Sequence, residues 1–261
     1  MKRQEIIQSI TYARERDKQP NLQGAYLAGV NLERVNLHDV NLQGANLQEA
    51  NLREANLQGA NLKEANLTGA NLYGANLGKA DLYLANLTRA KLDEAILDGA
   101  DLDQANLEKA SLHAANLYET NLHMATLRQA NLTRAILRLA SLERADLSQA
   151  NLPEAVLEMA VLRGADLCGV NLHGADMEYS FLGEARLCQA DLEGANLKRS
   201  ELFIADLSQA NLCQADLCWA NLEQANLQEA IFADAKYNQC TKFPKGFVGH
   251  KEMLYCQRAQ S

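Results

Sequence analysis

The sequence predicts a solenoid, a chain wound into stacked coils, and three observations carry that prediction. Leu stands at every fifth position from Leu22 to Leu227, interrupted only by Met177, and Phe232 continues the register. The residue two places before each of these is Ala in 35 of 43 repeats, and the residue one place before is Asn or Asp in 30 of 43. The unit is therefore Ala-(Asn/Asp)-Leu-x-x, and it runs through residues 20–234 with no insertion or deletion.

The period excludes the two common alternatives. On an α-helix five residues advance by roughly 500°, so each Leu would stand about 140° from the last and the apolar side would smear around the axis. On a strand an odd step puts every second Leu in water. A coil that turns inward once per repeat buries them all. Leu then points to the axis, Ala fits where the interior is narrow, and the other three positions face solvent. Stacked coils pair their backbones along the axis, and each touches only its neighbours.

Runs such as Ala45-Asn46-Leu47-Gln48-Glu49-Ala50-Asn51-Leu52 resemble the consensus of the pentapeptide repeat family, and the resemblance covers residues 20–234. It implies an all-β fold, a right-handed quadrilateral parallel β-helix with four repeats per coil and about 11 coils. At ~4.8 Å per coil the rod is roughly 50 Å long. The number of sides comes from the resemblance; the period alone does not fix it.

The ends need protection. In residues 1–19 Ile6, Ile7, Ile10 and Ala13 recur at helical spacing, which predicts a capping helix over Gln4–Asp17, ended by Pro20. Residues 235–261 form a C-terminal cap and tail. Lys236 to Phe247 resembles the exit segment of cyanobacterial members of the family, Tyr237, Phe243 and Phe247 are placed to cover the last coil, and fraying is expected from Val248.

The net charge of −8 argues against a nucleic-acid binder. Residues 1–19 carry +2, residues 235–261 carry +4, and the repeats carry −14. Some pentapeptide repeat proteins resemble B-DNA and bind DNA gyrase, so a DNA mimic is the alternative function. Duplex of ~50 Å carries roughly 30 charges, more than twice the net charge of the repeats. The densest acidic cluster is Asp93, Glu94, Asp98, Asp101, Asp103 and Glu108. The leading expectation is a non-catalytic scaffold whose outer surface meets a protein partner or a second copy of the chain. Four sides per coil predict an apolar corner from Leu139, Met159, Val161, Tyr179, Phe181, Ile204 and Trp219, with Phe203 beside it.

Catalytic chemistry is not expected, nor is a cofactor or metal. His113 and His173 share a side three coils apart, roughly 14 Å, beyond ligand or proton-transfer reach. Gly24, Gly29 and Gly44 sit at turn positions and form no phosphate loop. No apolar run is long enough to span a membrane, and the segment from Met1 to Ile7 lacks a secretory signal. The expected location is the cytoplasm, with the six cysteines reduced. Cys168 and Cys188 stack on neighbouring coils, with parallel side chains poorly oriented for bridging; Cys213, Cys218, Cys240 and Cys256 show no ligand spacing.

Overall fold

A computed structural model describes residues 2–248 and 253–255. The helix α1 spans Arg3–Arg14, and two short strands, β1 (Lys236–Tyr237) and β2 (Leu254–Tyr255), pair in parallel near the C-terminus. Between them the backbone is a tube. Each residue preceding a core Leu bridges, in parallel, the residue 20 positions later: Asn21 to Asn41, Tyr26 to Asn46, Asn31 to Asn51, Asn36 to Asn56, and so on. Twenty residues are four repeats, so there are four ladders. The walls are numbered from their first rungs: wall 1 from Asn21, wall 2 from Tyr26, wall 3 from Asn31 and wall 4 from Asn36.

The walls are ladders of single-residue bridges, not extended strands, and the turns explain why. In each repeat Leu accepts a hydrogen bond from the N–H three residues on, as Ala25 donates to the Leu22 carbonyl at 3.0 Å. The second residue after Leu has positive φ throughout the repeats described, from Gly24 at 64° to Arg34 at 57° and Trp219 at 64°. Two of every five residues therefore belong to a corner, and one remains free to bridge. The backbone is paired along the axis: the Leu22 N–H donates to Asn41 O at 2.7 Å, and the Asn41 N–H donates to Pro20 O at 2.9 Å.

The core is the Leu and Ala column. Leu32 to Leu222 are fully buried or nearly so, and Ala45 to Ala220 line the same interior. Where the residue before Leu is Asn or Asp, it is mostly half-buried instead of facing solvent as expected. Its side chain bends back to accept the N–H two residues on and reaches the same residue in the neighbouring coil. Asn41 Oδ1 accepts the Gln43 N–H at 3.1 Å and the Asn61 amide at 3.1 Å, while Asn41 Nδ2 donates to Asn21 Oδ1 at 3.1 Å. An expected result follows: Asn41→Ala removes three hydrogen bonds and lowers stability by about 1–3 kcal/mol, which a denaturant titration measures; no change would mean that the ladder contributes nothing net.

At the N-terminus α1 ends earlier than expected. Its C-cap is Glu15, and Asp17 at φ 57° turns the chain before Pro20 is reached. Lys2 N–H donates to Glu5 Oε2 at 2.9 Å across the first turn. Ile6 and Ile10 are buried against the first coil. The two arginines at the ends of α1 take the carbonyls that a preceding coil would have used. Arg3 donates to Asn31 O and Glu33 O at 3.4 and 3.1 Å, and Arg14 donates to Asn36 O and His38 O at 3.4 and 2.9 Å.

At the other end the register slips by one: Asp216 bridges Lys236, but Asn221 bridges Lys242. Phe243 stacks on Phe247 at 4.6 Å between ring centres, and Phe247 meets Phe232 edge-on at 5.6 Å. Fraying was expected from Val248, yet Leu254–Tyr255 pairs with β1, and the Leu254 N–H donates to Ala235 O at 2.8 Å. The rest of that expectation, with His250 and Cys256, lies outside the described residues.

The expectation for Cys168 and Cys188 is corrected: they form a disulfide, with Cα atoms 4.7 Å apart. The stacking distance between coils already falls within disulfide range, and the side chains converge instead of running parallel. No helix among the described residues is long and apolar enough to cross a membrane.

Candidate interaction surface

The apolar surface rests on the turns that join wall 4 to wall 1. Leu139, Met159, Tyr179, Arg199 and Trp219 occupy equivalent places in successive coils, 20 residues apart. All five have left-handed backbone, with φ of 60°, 58°, 60°, 55° and 64° in that order. That region suits Gly and Asn and is strained for bulky side chains. Leu139, Tyr179 and Phe181 are nonetheless 39%, 38% and 48% exposed. Arg199 lies between two aromatic rings, its guanidinium carbon 5.1 Å from the Tyr179 ring centre and 5.0 Å from that of Trp219. Arg199 also donates to Glu178 at 3.2 Å.

Val161 and Phe181 continue this surface onto wall 1, as neighbouring rungs of its ladder. Between Tyr179 and Phe181 the Ser180 hydroxyl is buried with no hydrogen-bond partner, a cost of about 1–3 kcal/mol. Phe203 and Ile204 do not join the corner. They form the turn that leaves wall 1 for wall 2, where Ile204 donates its N–H to Glu223 O at 3.1 Å. Grouping by wall had merged the two edges of wall 1. The expected corner is therefore corrected to Leu139, Met159, Val161, Tyr179, Phe181 and Trp219, with Ile204 across the wall from it. Arg199 was overlooked because it is charged; its spacing of 20 from both Tyr179 and Trp219 was the available signal.

Several charges beside this surface are paired. Arg138 meets Glu158 at 3.2 Å, Arg163 meets Glu184 at 2.7 Å, and Lys198 meets Asp216 at 3.1 Å. Burial opposes ionisation of Asp216, but the Cys218 N–H and thiol and the Lys198 ammonium outweigh it and hold the carboxyl below the ordinary carboxylate range.

The acidic cluster is contiguous in sequence and dispersed in space. Asp93 and Glu94 leave wall 3, Asp98 leaves wall 4, Asp101 and Asp103 belong to wall 1, and Glu108 belongs to wall 2, because these residues span most of one coil. Several are already engaged. Asp93 accepts the Ser111 hydroxyl and the His113 N–H, Asp103 meets His123 at 3.0 Å, and Glu108 meets Lys109 at 3.1 Å.

His113 and His173 stand three coils apart on wall 3. His173 has other neighbours: together with Asp191 and Glu193 it places three ligand-type atoms within 4.8 Å of one another. Sequence reasoning weighed His173 only against another His. The carboxylates 18 and 20 residues later were the signal.

A family model for pentapeptide repeats matches repeatedly, over residues 21–53, 45–83, 85–123, 121–158, 145–182, 181–218 and 200–236. Among solved structures the chain is similar to HetL, a pentapeptide repeat protein involved in heterocyst differentiation regulation from the cyanobacterium Nostoc sp. strain PCC 7120. Identity is 36%, coverage is 86% of this chain and 92% of HetL, and the TM-score is 0.52. It is also similar to alr5209, a pentapeptide repeat protein from Nostoc PCC 7120, at 34% identity over 49% of this chain and 86% of that one, with a TM-score of 0.20. QnrB1, a plasmid-mediated fluoroquinolone resistance protein, matches at 16% identity over 79% of this chain and 89% of its own, with a TM-score of 0.40. No curated protein matches. Matched by its family model through nearly the whole tube, the chain belongs to the pentapeptide repeat family.

Proposed function

We propose that the chain is a right-handed four-sided β-helix that works without catalytic chemistry, as a rigid scaffold for a protein partner. The observation that carries this reading is the ladder of bulky side chains at left-handed turns, Leu139, Met159, Tyr179 and Trp219. Gly fills many equivalent turns at no steric cost. The orphaned Ser180 hydroxyl and exposed aromatic surface gather at one corner, as they do at binding sites. Neutralised ion pairs around an apolar, aromatic and arginine-bearing centre match the composition of protein interfaces. The proposed occupant is a folded protein surface that offers apolar side chains to Phe181 and Trp219. HetL, the relative with a regulatory description, favours a regulatory role.

A DNA mimic would need a continuous acidic strip. The densest acidic residues of this chain instead wind across four walls, so the gyrase-binding alternative has less support.

The test uses the full chain. Trp219→Ala with Phe181→Ala should leave the circular dichroism spectrum unchanged and weaken capture of one defined native-lysate protein at least tenfold, while Gln48→Ala on wall 2 captures it as before. Equal capture by both variants overturns the reading. So does a dimeric mass that the double variant abolishes, since it assigns the corner to a second copy of the chain.

A further inference from the structure

Wall 3 carries a feature that the scaffold reading does not use. We propose that His173, Asp191 and Glu193 form a surface site for one divalent transition-metal ion of the zinc class. The fold places the three donors. His173 and Glu193 are equivalent turn residues in successive coils, and Asp191 is the wall residue of the same repeat as Glu193, bridged to Asn171. Their ligand atoms lie within 4.8 Å of one another. Donors at ~2.0–2.2 Å in a tetrahedral zinc shell stand roughly 3.3–3.6 Å apart, so side-chain movement of about 1 Å brings all three onto one ion.

The carboxylates are held in place. Asp191 Oδ1 accepts the Glu193 N–H at 3.2 Å and the Asn211 amide at 3.1 Å, and the same amide lies 3.4 Å from Glu193 Oε2. Asn211 is thus a positioning residue that holds one oxygen of each carboxylate.

The site also lacks a positive charge. Several wall aspartates have one: Asp81 pairs with Lys63 at 2.9 Å, Asp166 with Arg186 at 2.8 Å, and Asp146 with Arg128, whereas Asp101, Asp176 and Asp206, like Asp191, form none among the described residues. Among the described residues neither Asp191 nor Glu193 forms an ion pair. Glu154, on the wall 3 turn one coil back, is taken by Arg134 at 2.8 Å. Nor has the cluster collapsed into a direct bond, as on wall 1 where His123 meets Asp103 at 3.0 Å. Gly174 and Gly194 follow His173 and Glu193, and no atom lies within 4 Å of where their Cβ atoms would be. An ion with its remaining waters can therefore approach from outside. One imidazole with two carboxylates favours Zn²⁺ over Mg²⁺ or Ca²⁺, which prefer all-oxygen shells.

The test is calorimetric titration of the full chain, its Cys168–Cys188 disulfide intact, with zinc chloride. One ion per chain is expected. His173→Ala and Glu193→Gln should each weaken binding at least tenfold, Asn211→Ala should weaken it about tenfold at the same stoichiometry, and Cys213→Ser should leave it unchanged. Circular dichroism should be the same for all four variants. Millimolar Mg²⁺ should not compete. Three results overturn the proposal: no saturable zinc binding below millimolar, binding that survives both His173→Ala and Glu193→Gln, or binding that Cys213→Ser abolishes.

Discussion

Leu132→Asp should unfold the rod or open it locally, with a loss of at least about 4 kcal/mol. Leu132 is fully buried on the wall 3 column, between Leu112 and Leu152, which are buried as completely. The substitution removes a burial worth roughly 1.5–3 kcal/mol and puts a carboxylate where no cation or N–H is free to meet it. Coils contact only their neighbours, so the damage begins around residue 132 and separates the two halves of the stack. Thermal melting followed by circular dichroism measures it. An unchanged spectrum and melting temperature would mean that the leucines do not form the core.

The second large effect is expected at the open N-terminal edge. Ile6→Ala combined with Ile10→Ala removes both buried side chains of α1, at about 2–5 kcal/mol each. A helix of this length is marginal in water without packing. Once undocked, it withdraws Arg3 and Arg14 from the carbonyls of Asn31, Glu33, Asn36 and His38. The first coil then presents unpaired backbone acceptors, and end-to-end association follows. Hydrogen exchange should show loss of protection over residues 3–14, and light scattering should show a mass that grows with concentration. A double variant that keeps both the protection and a constant mass would show that α1 does not seal the edge.

The parts of this fold that were legible in the sequence are those decided by burial alone. A Leu every five residues admits one kind of path, and no helix or strand shares it. The number of walls was not legible, because every repeat carries the same signal and nothing in Ala-Asn-Leu marks one corner from another; the 20-residue stride of the bridges shows it. The Asn ladder escaped notice for a different reason. Asn41 reads as an outward polar residue, and only its bonds to Gln43, Asn21 and Asn61 show that it shapes both turn and stack. Ile204 was misplaced because wall membership was considered without position inside the turn. Cys168 and Cys188 were correctly stacked, but a spacing of 20 gives a distance and not the direction of two sulfur atoms. His173, Asp191 and Glu193 were each visible, yet their convergence depends on how side chains cross between coils.

The fixed stride of 20 residues between bridged partners separates two properties of the molecule that are entangled in most folds. Duplicating or deleting one whole circuit changes reach and leaves every downstream side chain facing as before. Gaining or losing a single five-residue unit leaves the core intact but swings everything beyond it through a quarter turn, so that Trp219 would look out from a different compass point. Lineages of such rods can therefore tune length and bearing independently, each in whole-number steps.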